Sequence, residues 1–171
     1  MRSALRHSRA ALAVALCTVV CGCSAIDDDE PARTETARVV RVVDGDTIRV
    51  ELPSGEEAVR YIGIDTPESV KPGSPVECFA RRASAFNERL VRGEKVRLVR
   101  DVEERDRYGR LLAYVYRARD GLFVNAELVR RGYATVATFP PNVAHEDEFR
   151  RLAGKARLSG RGLWGKCEGA G

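Results

Sequence analysis

Two periodicities alternate along most of this chain. Val39-Val40-Arg41-Val42-Val43 and Ile48-Arg49-Val50-Glu51-Leu52 are short β-favouring runs on either side of Asp44-Gly45-Asp46-Thr47. In the second run Asp46, Ile48, Val50 and Leu52 share one parity and Thr47, Arg49 and Glu51 the other, which predicts a strand whose inward row begins at a carboxylate. Pro53-Ser54-Gly55-Glu56 is a turn, and it delivers the chain into a third strand, running from Arg60 to Glu68. Lys95–Val99 and Leu111–Tyr116 are the fourth and fifth strands. Helical spacing appears three times. Glu77–Val91 carries a stripe of Phe79, Ala83, Phe86 and Leu90, Asn125–Arg131 is flanked and filled by Val124, Leu128 and Val129, and the last helix runs from His145 to Leu158. Phe79 and Phe86 are expected in the core. Breaker-rich segments separate these elements, notably residues 69–76 and the rigid Pro140-Pro141 pair, which admits a cis bond.

Polar residues intrude on this pattern where a fold does not need them. Arg60 enters an apolar strand, and Asp65-Thr66-Pro67-Glu68 sets two carboxylates around a turn at its exit. A charge at the end of a half-buried strand costs free energy unless a metal, a counter-ion or a substrate receives it. Phosphate-ester chemistry has a use for each group, because arginine grips phosphate oxygens, one carboxylate can hold a divalent cation and a second can activate water. Asp46 must lie at a rim, be paired, or bind metal; taken alone, Asp44-Gly45-Asp46 is equally a hairpin turn. The further acidic residues of an EF-hand loop are missing. Arg110, beside Gly109 at the start of a strand, is either a solvated arginine or the partner of Arg60 in a phosphate clamp. His145 is the only histidine after residue 7, so a three-histidine zinc site is impossible. It is placed at a helix N-terminus or loop.

Composition changes this picture mainly at the N-terminus. Arg2, Arg6 and Arg9 precede an apolar run from Ala10 to Val20 that is short for a transmembrane helix, and the run ends Val20-Cys21-Gly22-Cys23. The pattern resembles a bacterial lipoprotein signal peptide over residues 1–22, with Cys23 becoming the lipid-bearing N-terminus. Residues 23–37 then read as a disordered acidic tether, followed by the folded domain at 38–168 and a tail at 169–171. Removal of Cys17 and Cys21 and lipidation of Cys23 leave Cys78 and Cys167. An even number in an oxidising compartment suggests one disulfide, with two buried free thiols as the alternative. From Arg38 onward there are 25 Lys and Arg against 20 Asp and Glu, a net of +5 (25 minus 20), which suits a polyanionic partner without identifying one.

Three pieces in order, Asp44-Gly45-Asp46-Thr47, Arg60 through Asp65-Thr66-Pro67-Glu68, and Asp106-Arg107-Tyr108-Gly109-Arg110 with Leu112-Ala113-Tyr114, resemble the thermonuclease or staphylococcal nuclease-like family. The resemblance runs from about Val39 to Trp164. It implies an α+β fold, a five-stranded OB-type β-barrel with three helices, on which Leu163-Trp164 would pack before Cys167. It also implies calcium-dependent cleavage of DNA or RNA by a monomer, leaving 3′-phosphate ends. Asp46 and Asp65 would bind Ca2+ with the main-chain carbonyl of Thr66, and Glu68 would be the general base. Arg60 and Arg110 would hold the phosphate, Arg107 and Tyr108 would lie along the nucleotide, and Asp44 would support the metal ligands from behind. Where better-known members carry tyrosines, the stretch from Ala134 to Pro141 offers Thr138 and Phe139. The competing expectation is a non-catalytic OB-fold nucleic-acid-binding module, but such copies should lack part of the arginine, carboxylate and metal set. Localisation is expected on the outer face of the bacterial cell membrane through the lipid on Cys23, or in the medium without it.

Overall fold

A computed structural model of the chain describes residues 34–68, 73 and 75–167. The expected signal peptide, Cys23 and most of the tether fall outside the described residues, as do 69–72, 74 and the tail. Strands β1 (Thr34–Val42), β2 (Thr47–Leu52) and β3 (Gly55–Tyr61) form a meander; β4 (Gly63–Asp65) and α1 (Ala80–Val91) follow. Then come β5 (Lys95–Val99), β6 (Leu111–Arg117), α2 (Val124–Arg130), β7 (Thr135–Ala137), α3 (Glu146–Leu158) and a 3-10 turn over Gly162–Gly165.

Five of the strands close a barrel in the order β1-β2-β3-β6-β5. The expected five-stranded barrel with three helices is therefore present. Its strands pair antiparallel except β3 with β6, which run parallel with Val59 opposite Leu111 and Arg60 opposite Leu112. The long β1 serves two neighbours, pairing Thr34–Arg38 with β5 and Arg38–Val42 with β2, and a register shift between Val39 and Arg41 lets it turn from one to the other. The inward rows are those that alternation marks. Ile48, Val50, Val59, Val96, Val115, Leu98 and Leu111 are essentially dry, and each such aliphatic side chain contributes about 1.5–3 kcal/mol by leaving water. On β6 that row is Leu111, Ala113 and Val115; the opposite parity, Leu112, Tyr114 and Tyr116, also joins the core, with Tyr114 and Tyr116 packed on Phe123 from the α2 side.

The structure corrects three boundaries. Strand β1 is already formed at Thr34, ahead of the expected boundary at Arg38, because Thr34–Ala37 extends the β1–β5 pairing and buries Ala37. The stretch from Arg60 to Glu68 is not one strand: Gly63 turns with φ +79°, a left-handed conformation that glycine alone adopts without cost, and a Cβ there would lie 2.6 Å from the Phe149 ring. The chain consequently leaves the barrel after Tyr61, and β4 pairs with β7 instead. Helix α1 starts at Ala80, after Phe79 takes a left-handed φ of 72°. Leu163 is buried, and its N–H donates to Gly132 O in the turn after α2 at 2.9 Å.

Of the other expectations, Phe79 is only half-buried and lies outside the core, whereas Phe86 packs against it. His145 is the N-cap of α3, the Pro140-Pro141 bond is cis, and Phe86 stacks on Tyr133 with ring centroids 4.1 Å apart. Cys78 and Cys167 form a disulfide that ties the entrance of α1 to the C-terminal turn, with Cα atoms 5.9 Å apart.

Candidate active site

The bend between β1 and β2 is held by its own polar groups. Asp44 Oδ1 accepts the N–H of Asp46 at 3.0 Å, and Thr47 O accepts the N–H of Val43 at 2.9 Å. This turns the Asp46 carboxylate inward, where only 4% of the residue is exposed. A buried carboxylate needs donors, and Asp46 has them. Oδ2 accepts both the N–H (2.7 Å) and the hydroxyl (2.9 Å) of Thr66, and Oδ1 accepts the Thr47 hydroxyl at 3.1 Å. Arg60 Nη1 stands 2.9 Å from Oδ2. Gly45 makes this approach possible, since a Cβ there would fall 2.6 Å from Thr66 Oγ1.

Arg60 is the hinge of the group. Its Nη2 donates to Asp65 Oδ1 at 2.6 Å while Nη1 faces Asp46 and donates to Ile64 O at 3.0 Å, so one guanidinium bridges carboxylates from two chain segments. The β2–β3 pairing sets Thr47 opposite Arg60 and thereby brings Asp46 alongside. Asp65 sits at the end of β4 with its side chain 59% exposed. Partial burial is the largest influence on its carboxyl and raises its pKa against the pull of Arg60, with the Asp46 charge adding to the rise. Asp44 is pushed further, to about 6, by burial and then by Asp46. The Asp46 and Asp65 carboxylates thus share a single guanidinium, an excess of negative charge.

That excess fits a hard divalent cation. The candidate donors are all oxygen, Asp46, Asp65 and the main-chain carbonyl of Thr66, which is the chemistry calcium and magnesium select. Among the described residues no three Asp, Glu, His or Cys side chains converge as a ligand cluster, so such an ion would complete its shell with water and substrate oxygens.

Glu68 follows three residues after Asp65. Its backbone is held at both polar atoms by Glu77: Glu68 N–H donates to Glu77 Oε2 at 2.9 Å, and Glu77 N–H donates to Glu68 O at 3.0 Å. Arg110 immediately precedes β6, two residues before the parallel partner of Arg60. That offset is about 6–7 Å along the strand direction. Asp106 aims Arg110, accepting its Nε at 2.7 Å through Oδ2 and its N–H at 3.0 Å through Oδ1, which also takes the N–H of Tyr108. Burial raises the Asp106 pKa, but the Arg110 and Tyr108 hydrogen bonds outweigh it and leave a net lowering. Tyr108 is 69% exposed, with the guanidiniums of Arg107 and Arg110 lying 4.8 and 5.5 Å from its ring centre.

The structure therefore assembles Asp44, Asp46, Arg60, Asp65 and Thr66 by direct contact, and gathers Arg107, Tyr108 and Arg110 into a second group in the turn that leads into β6. Sequence reasoning gave no role to Asp106, Asn87 or Glu77. The first had a readable signal, an Asp four residues before an arginine and three before a glycine, the mark of a side-chain-closed turn. Asn87 offered none; it is a polar residue on the buried face of α1, where its Oδ1 accepts the Tyr61 hydroxyl at 3.0 Å and its Nδ2 donates to Asp44 O at 3.1 Å.

Comparison with known proteins points one way. Residues 58–166 match the family described as Staphylococcal nuclease homologue, a span that holds Arg60, Asp65, Glu68 and Arg110 and starts after Asp46. A thermonuclease of Staphylococcus hyicus is 38% identical over 133 residues, 78% of this chain and 78% of its own length. A thermonuclease of Staphylococcus intermedius is 42% identical over 125 residues, covering 73% and 71%. Endonuclease YncB of Bacillus subtilis is 41% identical over 128 residues, covering 74% of this chain and 60% of the relative.

Proposed function

The chain belongs to the staphylococcal nuclease homologue family, and from that membership we propose that this nuclease hydrolyses phosphodiester bonds of DNA, RNA or both in a calcium-dependent reaction outside the cytoplasm. The observation that carries the reading is the bridging of Asp46 and Asp65 by Arg60. A cation-binding carboxylate pair and a phosphate-binding guanidinium at one point are what attack on a phosphodiester requires.

Asp46, Asp65 and the Thr66 carbonyl would hold the calcium ion. Bound there, calcium supplies charge neutralisation at the phosphoryl oxygens and a place for water beside them. Glu68 accepts the proton of the attacking water. Arg60 and Arg110 meet the charge that grows on the phosphoryl oxygens, and Asp106 keeps Arg110 aimed. In-line attack with departure of the 5′-oxygen leaves a 3′-phosphate. Arg107 and the exposed Tyr108 extend the contact along the nucleotide. Asp44 supports Asp46 from behind. The protein acts as a monomer held at the outer face of the membrane by a lipid on Cys23, a reading supported by the sequence Cys21-Gly22-Cys23 after an apolar run.

The test is release of fluorescence from labelled single-stranded DNA and RNA by the purified chain, with calcium and with a chelator. Activity should require calcium, and Glu68→Gln and Arg110→Ala should each lower kcat by about 10²–10³. Near-normal calcium-dependent activity in both variants would falsify the mechanism. Labelling with a radioactive fatty acid that persists in Cys23→Ala would remove the anchor from the reading.

A further inference from the structure

Glu68 lies beyond the end of β4, and a general base must be held to within a fraction of an ångström to act. The protein supplies this restraint from Glu77. The two residues exchange a reciprocal pair of hydrogen bonds: Glu68 N–H to the Glu77 carboxylate at 2.9 Å and Glu77 N–H to Glu68 O at 3.0 Å. Glu77 is in turn fixed from the other side, because its carbonyl accepts the first N–H of α1, from Ala80, at 3.1 Å.

The next residue, Cys78, is bonded to Cys167 across a sequence separation of 89. Cys167 is no loose end. Its N–H donates to Leu163 O at 2.9 Å, and Leu163 N–H donates to Gly132 O at 2.9 Å. Gly132 and Gly162 pack so closely that a Cβ on Gly162 would fall 2.1 Å from Gly132 O. Phe79, just after the bridge, lies against Tyr133 with ring centroids 5.2 Å apart. Two routes, one covalent and one aromatic, therefore run from the turn after α2 to Glu77, and from Glu77 to the backbone of Glu68. Glu77 is exposed, so packing does not explain the orientation of its carboxylate, which accepts the Glu68 N–H.

We propose that Glu77 is a positioning residue for Glu68, and that the Cys78–Cys167 disulfide anchors Glu77 to the helical side of the molecule so that it can act. This rests on the reading of Glu68 as the general base. Loss of the Glu77 carboxylate then acts on the chemical step and not on substrate affinity, since the residue it holds is the base and not one of the phosphate-binding arginines. A glutamine retains an acceptor oxygen for the Glu68 N–H; an alanine does not.

The experiment measures kcat, KM and thermal unfolding for Glu77→Ala, Glu77→Gln and Cys78→Ser/Cys167→Ser, in the wild-type and Glu68→Gln backgrounds, well below each variant's melting temperature. The expected result is about a 10-fold fall in kcat for Glu77→Ala with KM within about two-fold, and recovery to within about two-fold of wild type in Glu77→Gln. The double serine variant should show the same kcat-selective loss. In the Glu68→Gln background Glu77→Ala should add nothing, because a residue acting through Glu68 has no further effect once Glu68 is disabled. If Glu68→Gln is strongly impaired while Glu77→Ala keeps wild-type kcat, or loses the same factor again in the Glu68→Gln background, the positioning role is overturned and the base stands. If Glu68→Gln is itself fully active, the base assignment fails and the positioning role falls with it. A serine pair that melts earlier but turns over normally overturns the anchoring role of the disulfide alone.

Discussion

Asp46 Oδ2 accepts both donors of Thr66, the N–H at 2.7 Å and the hydroxyl at 2.9 Å. This contact joins the first bend of the barrel to the chain leaving β4, and it leaves no room beside Gly45. Gly45→Ala should therefore push a methyl group into Thr66, whose Oγ1, Cβ and Cγ2 all lie within 2.8 Å of the new Cβ position. Overpacking of this kind costs about 1–3 kcal/mol. Nuclease activity should fall with it, because the displaced groups are Asp46 and Thr66 themselves. Urea denaturation and a calcium titration of activity measure the two effects; a variant with wild-type stability and calcium response would show that the bend has slack.

Asp106 is the second point where orientation is expected to control rate. Its carboxylate takes the Arg110 Nε–H, the Arg110 N–H and the Tyr108 N–H. Asp106→Ala frees Arg110 to sample other rotamers, and misplacement of a catalytic group by about 1 Å costs on the order of 10²-fold in rate. A fall of kcat approaching that of Arg110→Ala is the expected outcome, with additive loss in the double variant ruling it out. Because the Asp106 pKa lies below the ordinary carboxylate range, the contact should survive acidification and fail only as pH drops through that lowered value.

Asp44 makes a prediction of opposite sign. Its pKa is pushed up to about 6 by burial and by the neighbouring Asp46, against about 4 in an unfolded chain. Between those values the folded protein binds the proton more tightly than the unfolded one, so this group's contribution is complete below about pH 4 and is lost as pH rises through about 6. Asp44→Asn removes the titration. Unfolding free energy measured with a chelator present should thus show a decline across pH 4–6 in the wild type that is flattened in Asp44→Asn. Parallel pH profiles for the two proteins would sink the assignment.

How far these relationships were legible in the chain depended on distance. Arg60 and Asp65 are five residues apart, and their conjunction in an apolar run announces itself without a fold. Asp46 could be added because alternation through Ile48, Val50 and Leu52 put it on the inward row, and Arg110 because a motif around it was recognisable. The inward rows needed only local parity, which is why the barrel was readable. The departure at Gly63 was not, since it depends on the Phe149 ring arriving from α3, and nor was the use of Thr34–Ala37 as strand, which depends on β5 offering an edge. Polar side chains that act through the backbone of another residue, as Glu77 and Asn87 do, leave almost no trace in a single sequence.

Asn87 provides the last test, because it separates support of the fold from support of the site. The residue is fully buried on α1 and makes two bonds of different consequence, accepting from the Tyr61 hydroxyl and donating to Asp44 O. Asn87→Ala leaves one buried and one part-buried partner unsatisfied and opens a small void, costing about 2–4 kcal/mol. Tyr61→Phe removes only the first bond. Its cost should be about 1–3 kcal/mol, the usual range for one unsatisfied buried group. If the Asn87 amide holds the Asp44 bend in register for Asp46, activity at a temperature where both variants are folded should drop several-fold in Asn87→Ala and stay near wild type in Tyr61→Phe. Equal activity in the two would mean that the bend is held by Thr47 and Asp44 alone, and that Asn87 serves the core.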